Sequence, residues 1–465
     1  MLFNSLQFAV FLAIVLPLYY VLPHRAQNRM LLAASYVFYG AWDYRFLALI
    51  LFSTGVDYFC GLRIHQAPGP RARRAFLLVS VLFNLGLLGF FKYFNFFAGG
   101  FESLLHLAGL GASWSTLHIV LPVGISFYTF QEISYTVEIY RGKMAPCRNF
   151  LDYALYVCFF PQLAAGPIER APHLLGQVLA PRKVTSEGVA EGIFLLVWGL
   201  YKKVVIADNL AGAVDSAFRA AHAFAKGEAL MGSLLFAVQI YCDFSSYSDM
   251  ARGLGKLMGF DLMVNFNLPY FARNPSNFWR RWHISLSCWL RDYLYIPLGG
   301  NRKGRRRTYI NLMVTMLLGG LWHGAAWNFV FWGLYHGVLL AGHKAITEEL
   351  WPRLRMPGWL ATAVMFVFTL YGWLLFRASS LAQVRDMTAR FFDLGLNPDV
   401  LSTAGKLAFF AGPLLLVQWA QWRSGDLLVM RRKGWALEGA FLAACFYLIV
   451  LFGVYNGPAF IYFQF

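Results

Sequence analysis

Charged residues are scarce in this sequence: they make up 14% of 465 residues, and acidic ones are fewer than basic ones. Soluble domains carry about 25% charged residues, whereas 58% of the residues here are hydrophobic and the mean hydropathy is +0.52. No polar stretch is long enough to form a separate soluble domain. These shortages exclude a soluble protein with a single anchor and favour one membrane-embedded domain over residues 1–465.

Cysteine pairs and several familiar enzyme motifs are also missing. The six cysteines form no C-x-x-C pair, and several lie in apolar runs, where a thiol behaves as a small hydrophobic group. We therefore predict no disulfide framework and no metal site. The sequence has no P-loop, Rossmann glycine pattern, G-x-S-x-G elbow or H-E-x-x-H pair, so those enzyme classes give no guide to its chemistry.

The net charge of +17 reflects 40 basic against 23 acidic residues. No basic-aromatic nucleic-acid module accompanies it, so we expect no nucleic-acid partner. Basic residues accumulate in cytoplasmic loops of membrane proteins, which places five clusters on the cytoplasmic side. The apolar run 6–22 has its positive charge after it, which predicts an uncleaved span with the N-terminus outside, on the side opposite the cytoplasm. The clusters lie at 24–29, 63–74, 141–148, 302–307 and 431–433.

Apolar segments long enough to form spanning helices recur along the whole chain, and we expect an all-α polytopic membrane protein with roughly ten to twelve crossings. Prolines and glycines near residues 122–124, 161–167 and 297–300 predict short or re-entrant elements, and Gly319-Gly320 predicts an interrupted helix. The candidate segments are 6–22, 31–42, 46–62, 76–97, 117–140, 150–164, 192–210, 231–246, 311–322, 327–345, 360–376, 407–422 and 437–454.

His323 is the strongest functional candidate because it lies in the apolar stretch 317–328. An ionisable side chain inside a membrane is costly and usually functional, although a structural histidine remains the alternative. His283 lies in an aromatic and basic segment, where an interfacial anchor is the alternative. If that segment is helical, Trp279, His283 and Ser287 share one face. His336 and His343 are equally compatible with packing.

A second polar group surrounds Asp243 and Asp249, which lie beside an apolar run. Paired carboxylates are compatible with acid-base catalysis. Arginines at 252, 273 and 291 offer partners, which favours a structural ion-pair network that also includes Arg291 and Asp292.

Residues 278–287 and 289–302 resemble the membrane-bound O-acyltransferase family, in its bacterial alginate O-acetyltransferase branch. Residues 321–324 are similar to that family's catalytic-histidine motif. Other matching stretches are 122–131, 159–170, 243–249 and 460–465, with Ser246 where the family pattern has glycine.

The resemblance implies tilted helices in a ring around a central funnel, with His323 and His283 near its narrow point. It also implies an acetyl group taken from a cytoplasmic thioester, with acetyl-CoA as the expected donor and no bound cofactor. Periplasmic acetyltransferase or adaptor proteins would then pass the group to an exported polysaccharide. The expected location is the inner membrane, in contact with lipid.

We assign His323 as the general base, since burial favours the neutral imidazole. His283 would orient the donor or stabilise the oxyanion. Arg280, Arg281 and the 302–307 cluster would attract donor phosphates. From residue 307 to residue 323 a helix rises about 24 Å, so His323 needs a water-filled path. The remaining predicted substrate-binding residues are Asn277, Trp279, Trp322 and Asn328.

Two alternatives remain open from the sequence. A related family member would acylate cellulose, peptidoglycan or teichoic acid instead. A proton-coupled transporter would also use intramembrane histidines and broken helices. Thioester turnover in detergent, without any gradient, distinguishes the enzyme from the transporter.

Overall fold

A computed structural model describes residues 1–110, 119–163, 165–219, 224–350, 356–458 and 460–461, and this part of the chain contains helices and no strand. The all-α fold class predicted from the sequence is confirmed. Six of the described helices are long and apolar enough to cross a membrane. The chain divides into two compact units: residues 1–189 with 254–263 form unit 1, and residues 190–253 with 264–465 form unit 2.

Unit 1 contains nine helices in the described residues, several with a clear local cause. The Ser5 side chain accepts a hydrogen bond from the Phe8 amide and starts α1, and Gly124 takes a left-handed φ of 77° before α6. The helices are α1 (Leu6–Val21), α2 (His24–Asp43), α3 (Arg45–Gln66), α4 (Pro70–Leu88), α5 (Phe94–Leu107), α6 (Ile125–Tyr140), α7 (Phe150–Cys158), α8 (Phe160–Leu163) and α9 (Ala171–Leu179).

A polar core lies where α3, α4 and α6 meet in unit 1. Each helix contributes two fully buried polar side chains spaced four residues apart, so both lie on the same helix face. Asp57 accepts hydrogen bonds from Ser80 and Asn84, and Glu132 accepts one from Ser53. The six residues are Ser53, Asp57, Ser80, Asn84, Glu132 and Thr136.

Unit 2 is built mainly from the later helices. A π-helical turn, Lys202–Ala207, separates its first two helices, and another, Arg291–Tyr295, follows α14. The helices are α10 (Ser186–Tyr201), α11 (Asp208–Ala217), α12 (Glu228–Leu257), α13 (Pro275–Trp279), α14 (Ile284–Leu290), α15 (Arg305–His323), α16 (Trp327–Ala345), α17 (Gly358–Arg377), α18 (Leu381–Arg390), α19 (Pro398–Ser424), α20 (Val429–Arg432) and α21 (Trp435–Phe452).

Most of the predicted segments coincide with helices, but four do not form single ones. Segment 76–97 is divided by a π-helical turn, Gly89–Tyr93, between α4 and α5. Segment 117–140 becomes helical only at Ile125, and residues 117–118 lie outside the described residues. Segment 150–164 breaks at Phe159, and its last residue, 164, also lies outside them. Segment 192–210 is divided by the Lys202–Ala207 turn. The number of crossings stays a prediction.

The predicted interruption at Gly319-Gly320 is wrong, because α15 runs unbroken to His323. A Cβ atom on Gly320 would collide with the carbonyl oxygen of Phe329, and one on Gly333 with that of Met316. These glycines therefore allow α15 and α16 to approach closely. The close approach fixes the end of α15 against α16.

Candidate active site

His323 is the last residue of α15, and only 3% of its surface is exposed. Its imidazole lies among aromatic rings from α15, α16 and α17, mostly edge to face. The distances between ring centres are 5.1 Å to Trp322, 4.9 Å to Trp332, 5.4 Å to Phe376 and 6.5 Å to His283. The structure thus brings the two predicted catalytic histidines together, 40 residues apart in sequence.

His283 is completely buried and adopts a left-handed backbone conformation, with φ at 42°. Such a conformation is uncommon for residues other than glycine and concentrates at functional sites. It places the imidazole as the N-cap of α14, where Nδ1 accepts a hydrogen bond from the Leu286 amide at 3.3 Å. A neutral ring with Nδ1 as acceptor carries its proton on Nε2, which makes Nε2 a donor.

The segment around His283 is not one helix, so the predicted shared face of Trp279, His283 and Ser287 is wrong. Helix α13 ends at Trp279, and the amides of Arg281 and Trp282 both donate to the Phe278 carbonyl, which closes a turn. The next helix, α14, begins at Ile284. Because of this turn, Trp279 and His283 contact different neighbours: the Trp279 ring packs against Trp332, and the His283 ring packs against Phe244.

Asn265 holds the start of α14 in place and was missed by the sequence analysis. Its backbone carbonyl accepts from the Ile284 amide at 2.9 Å. Its side-chain Oδ1 accepts from the Ser285 amide at 3.2 Å and the Ser285 hydroxyl at 2.9 Å. Its only sequence signal was a polar residue between two apolar neighbours, and the structure buries it.

Trp332 connects His323 to a second aromatic group that includes His336. Its ring centre lies 4.7 Å from His336 and 5.6 Å from Trp279. His336 is 2% exposed and stacks against Phe278. Trp279, a predicted substrate-binding residue, is therefore one ring removed from His323.

The Asn328 side chain hydrogen-bonds to the C-terminal end of α17. Its side-chain amide donates to the carbonyls of Phe376 at 3.2 Å and Ala378 at 3.1 Å, which caps the end of α17. Since Phe376 packs on His323, Asn328 supports the site by fixing that helix end. Trp322, by contrast, contacts both histidines, at 5.1 Å from His323 and 5.8 Å from His283.

Asn277 and Arg280 line a separate cavity of about 440 Å³. The Asn277 side chain accepts from Nε of Arg281 at 3.2 Å. Partial burial and the nearby charge of Arg273 lower the pKa of Arg281. Within the described residues, no carboxylate lies within ion-pair distance of the three arginines of this arginine cavity. Its lining residues are Phe271, Arg273, Asn274, Asn277, Arg280, Arg281 and Trp422.

The predicted ion-pair network is divided into three separate groups, and the main partners of Asp243 and Asp249 are lysines. Asp243 pairs with Lys203 at 2.7 Å, and Asp249 pairs with Lys202 at 2.7 Å and with Arg252 at 3.5 Å. Arg291 and Asp292 instead pair with each other at 2.7 Å, with the guanidinium largely exposed. The sequence signal for the lysines was their position inside the predicted apolar segment 192–210.

The arrangement suits acyl transfer. His323 presents a buried imidazole, and a neutral His283 presents an N–H donor, with the two ring centres 6.5 Å apart. A carbonyl group under attack needs these two functions on either side of it. Among the described residues, no group of three His, Cys, Asp or Glu side chains is placed to hold a metal ion.

Comparison with known proteins agrees with this chemistry. Residues 148–382 match the sequence profile of "MBOAT, membrane-bound O-acyltransferase family". The chain is 45% identical to "Probable alginate O-acetylase AlgI" of Azotobacter vinelandii over 398 residues, which is 85% of this chain and 79% of that protein.

Two relatives carry other names. The chain is 39% identical to "Peptidoglycan O-acetyltransferase" of Helicobacter pylori, over 78% of this chain and 74% of that protein. It is 27% identical to "Teichoic acid D-alanyltransferase" of Bacillus subtilis, over 56% of this chain and 69% of that protein. The profile match and the 45% identity show that the chain belongs to the membrane-bound O-acyltransferase family, as an O-acyltransferase of the membrane.

Proposed function

We propose that this enzyme moves an acetyl group from a cytoplasmic thioester across the bacterial inner membrane toward hydroxyls of an exported, alginate-like polysaccharide, which the group reaches through periplasmic partner proteins. The observation that carries the proposal is the pair of buried imidazoles, His323 at the end of α15 and His283 before α14, whose ring centres lie 6.5 Å apart. The names of the relatives at 45% identity supply the acetyl group and the polymer.

In the proposed reaction His323 accepts the proton of the attacking hydroxyl. The hydroxyl oxygen bonds to the thioester carbonyl carbon, and Nε2–H of His283 stabilises the resulting oxyanion. The intermediate then collapses, the carbon–sulfur bond breaks, and protonated His323 returns the proton to the leaving thiolate. The net change is one ester formed and one thiol released, without an external acid or base.

The arginine cavity supports a donor that carries phosphate. Three guanidinium groups without carboxylate partners in the described residues form a strong anion site, and arginine suits phosphate geometry. Helix α13 lies between the two features: Asn277 faces the cavity, and Trp279 contacts Trp332 beside His323. Acetyl-CoA has phosphates at one end and the thioester at the other, which fits this arrangement.

Kinetics with two donors test the donor assignment. Replacing Arg273 and Arg281 with glutamine should raise the KM for acetyl-CoA about tenfold or more, since each charge-assisted hydrogen bond contributes about 1.5–3 kcal/mol. The KM for acetyl-pantetheine, which lacks the nucleotide phosphates, should not change. Arg423→Gln, next to Trp422 but outside the cavity lining, is the matched control. Equal effects on both donors would contradict the assignment.

We further propose that the N-terminus lies in the periplasm and that the basic segment 302–307 faces the cytoplasm, where its side chains are exposed. Periplasmic acetyltransferase or adaptor proteins would then receive the group and modify the polymer. Two routes must reach His323 from opposite sides of the membrane. Cysteine labelling at Lys303 and at Ser5 from each side of sealed vesicles tests this orientation.

The acceptor polymer is tested in cells. Expression in an alginate-producing bacterium that lacks its own acetylation subunit should restore acetyl groups on the polymer, as measured by mass analysis. Peptidoglycan is the second candidate because of the 39% identity to a peptidoglycan enzyme. Acetylated peptidoglycan with unmodified alginate would replace the first candidate with the second.

A further inference from the structure

Lys203 is a buried cation held by two carboxylates and one carbonyl. Its Nζ lies 2.7 Å from Asp243, 2.8 Å from Asp208 and 3.2 Å from the carbonyl oxygen of Pro458. All three charged side chains are at most 7% exposed. Two consecutive lysines of the π-helical turn Lys202–Ala207 bind carboxylates of α12. Lys203 binds Asp243, and Lys202 binds Asp249.

The same cluster binds the chain segment that follows α21. The second oxygen of Asp243 accepts from the Ile461 amide at 2.7 Å. Gly457 lies so close to Asp208 that an added Cβ would come within 2.6 Å of its carboxylate oxygen. Lys203, Asp208 and Asp243 thus form one clamp, which we call the Lys203 clamp, around Pro458 and Ile461.

Phe460 connects this segment to the catalytic pair. Its ring centre lies 5.0 Å from Tyr247 and 5.7 Å from Phe244 on α12. The Phe244 ring in turn meets His283 edge to face at 4.7 Å. Phe460 is 2% exposed, so it fills space behind Phe244.

We propose that Phe460 is a positioning residue for His283, acting through Phe244 and fastened by the Lys203 clamp. The backbone of His283 is in a left-handed conformation that neighbouring packing must hold. Phe244 packs on one side of that imidazole, and Phe460 packs against Phe244 and holds its ring in contact with His283. The inference rests on the proposed role of His283 in acyl transfer.

The first test is steady-state kinetics of acyl transfer by the full-length protein in detergent. Phe460→Ala should lower kcat about ten- to a hundredfold, since small misplacement of a catalytic group has effects of this size. The donor KM should stay unchanged, because the arginine cavity is not involved. Phe460→Leu should restore most of kcat, and Tyr455→Ala, which removes an exposed ring of the same segment, is the matched control.

The second test combines variants. In a His283→Gln background, Phe460→Ala should cause no further loss of kcat, because the group that it positions is already absent. An additional loss there, or a wild-type kcat for Phe460→Ala alone, would overturn the proposal. A wild-type protein that turns over no thioester would instead overturn the proposed function.

Discussion

Two clusters of buried carboxylates, one in each unit, are built in opposite ways. In unit 1, Asp57 and Glu132 are surrounded by hydroxyl and amide groups, and no basic side chain among the described residues forms an ion pair with them. In unit 2, Asp208, Asp243 and Asp249 are each paired with a lysine. Burial of a carboxylate without a cation carries a large free-energy penalty and favours the protonated form, whereas a nearby cation favours the ionised form.

The difference separates a neutral polar core from a charged one. The hydrogen bonds of Asp57 and Glu132 tie α3, α4 and α6 together. The charged pairs of unit 2 hold Pro458 and Ile461, and through Phe460 they support the histidine pair. The charged cluster is therefore the one that lies beside the candidate active site.

The largest expected effect is that of Lys203→Met. It leaves two buried carboxylates without their cation, which should lower the free energy of unfolding by about 3–5 kcal/mol. Denaturant unfolding in detergent micelles measures this loss. Lys406→Met, at an exposed position of α19, is the control and should change little. An unchanged stability for Lys203→Met would mean that the clamp carries no net charge interaction.

Gly320→Ala tests the close contact between α15 and α16. The added methyl group meets the Phe329 carbonyl, and such overpacking costs about 1–3 kcal/mol. Because α15 ends at His323, acyl transfer should fall with stability. Gly86→Ala on α4 of unit 1, where nothing lies within 4 Å of the added atom, should lose neither. Equal stability of the two variants would refute the packing role of Gly320.

Asp57→Asn tests whether the buried carboxyl group of unit 1 is protonated, in contrast to that of Asp243 in unit 2. An amide can replace a protonated carboxyl between Ser80 and Asn84, so the loss of unfolding free energy should stay below about 1 kcal/mol. The same change at Asp243 removes a charge from Lys203 and should cost clearly more. If Asp57→Asn is the more harmful of the two, Asp57 is ionised and the contrast between the units fails.

The smallest expected effect concerns half-exposed His173 and its partner, the buried Glu169, 2.7 Å apart in unit 1. The hydrogen bond to Glu169 raises the pKa of His173. The stabilisation is therefore complete below the unfolded pKa of about 6.5 and is lost as pH rises through the folded pKa. Solvent screening limits it to about 0.5 kcal/mol. His173→Gln should remove this pH dependence of the unfolding midpoint, and a slope that persists would assign it elsewhere.

The sequence predicted the features that are local. Apolar length gave the helices, and proline and glycine gave the breaks near residues 124, 159 and 297. His323 and His283 were identified because ionisable groups are rare in apolar stretches. The lysine partners of Asp243 and Asp249 were not identified, because these pairs join residues that lie 40 and 47 positions apart in the sequence.

The sequence also did not predict the continuous α15 or the turn before α14. Gly319-Gly320 was expected to break α15, but helix packing against α16 outweighed the low helix propensity of glycine. The turn before α14 depends on Asn265, which a helical pattern does not reveal. The matching residues 462–465 lie outside the described residues, so only Phe460 and Ile461 of that motif have a structural role here.

Single-turnover cleavage of acetyl-CoA by the purified protein tests the role of His323 most directly. The account predicts that His323→Ala folds like the wild type but cleaves no thioester above the uncatalysed rate, while His343→Ala, a partly exposed histidine of α16, keeps wild-type cleavage. Thioester cleavage by His323→Ala at the wild-type rate would contradict the assignment of His323 as the base.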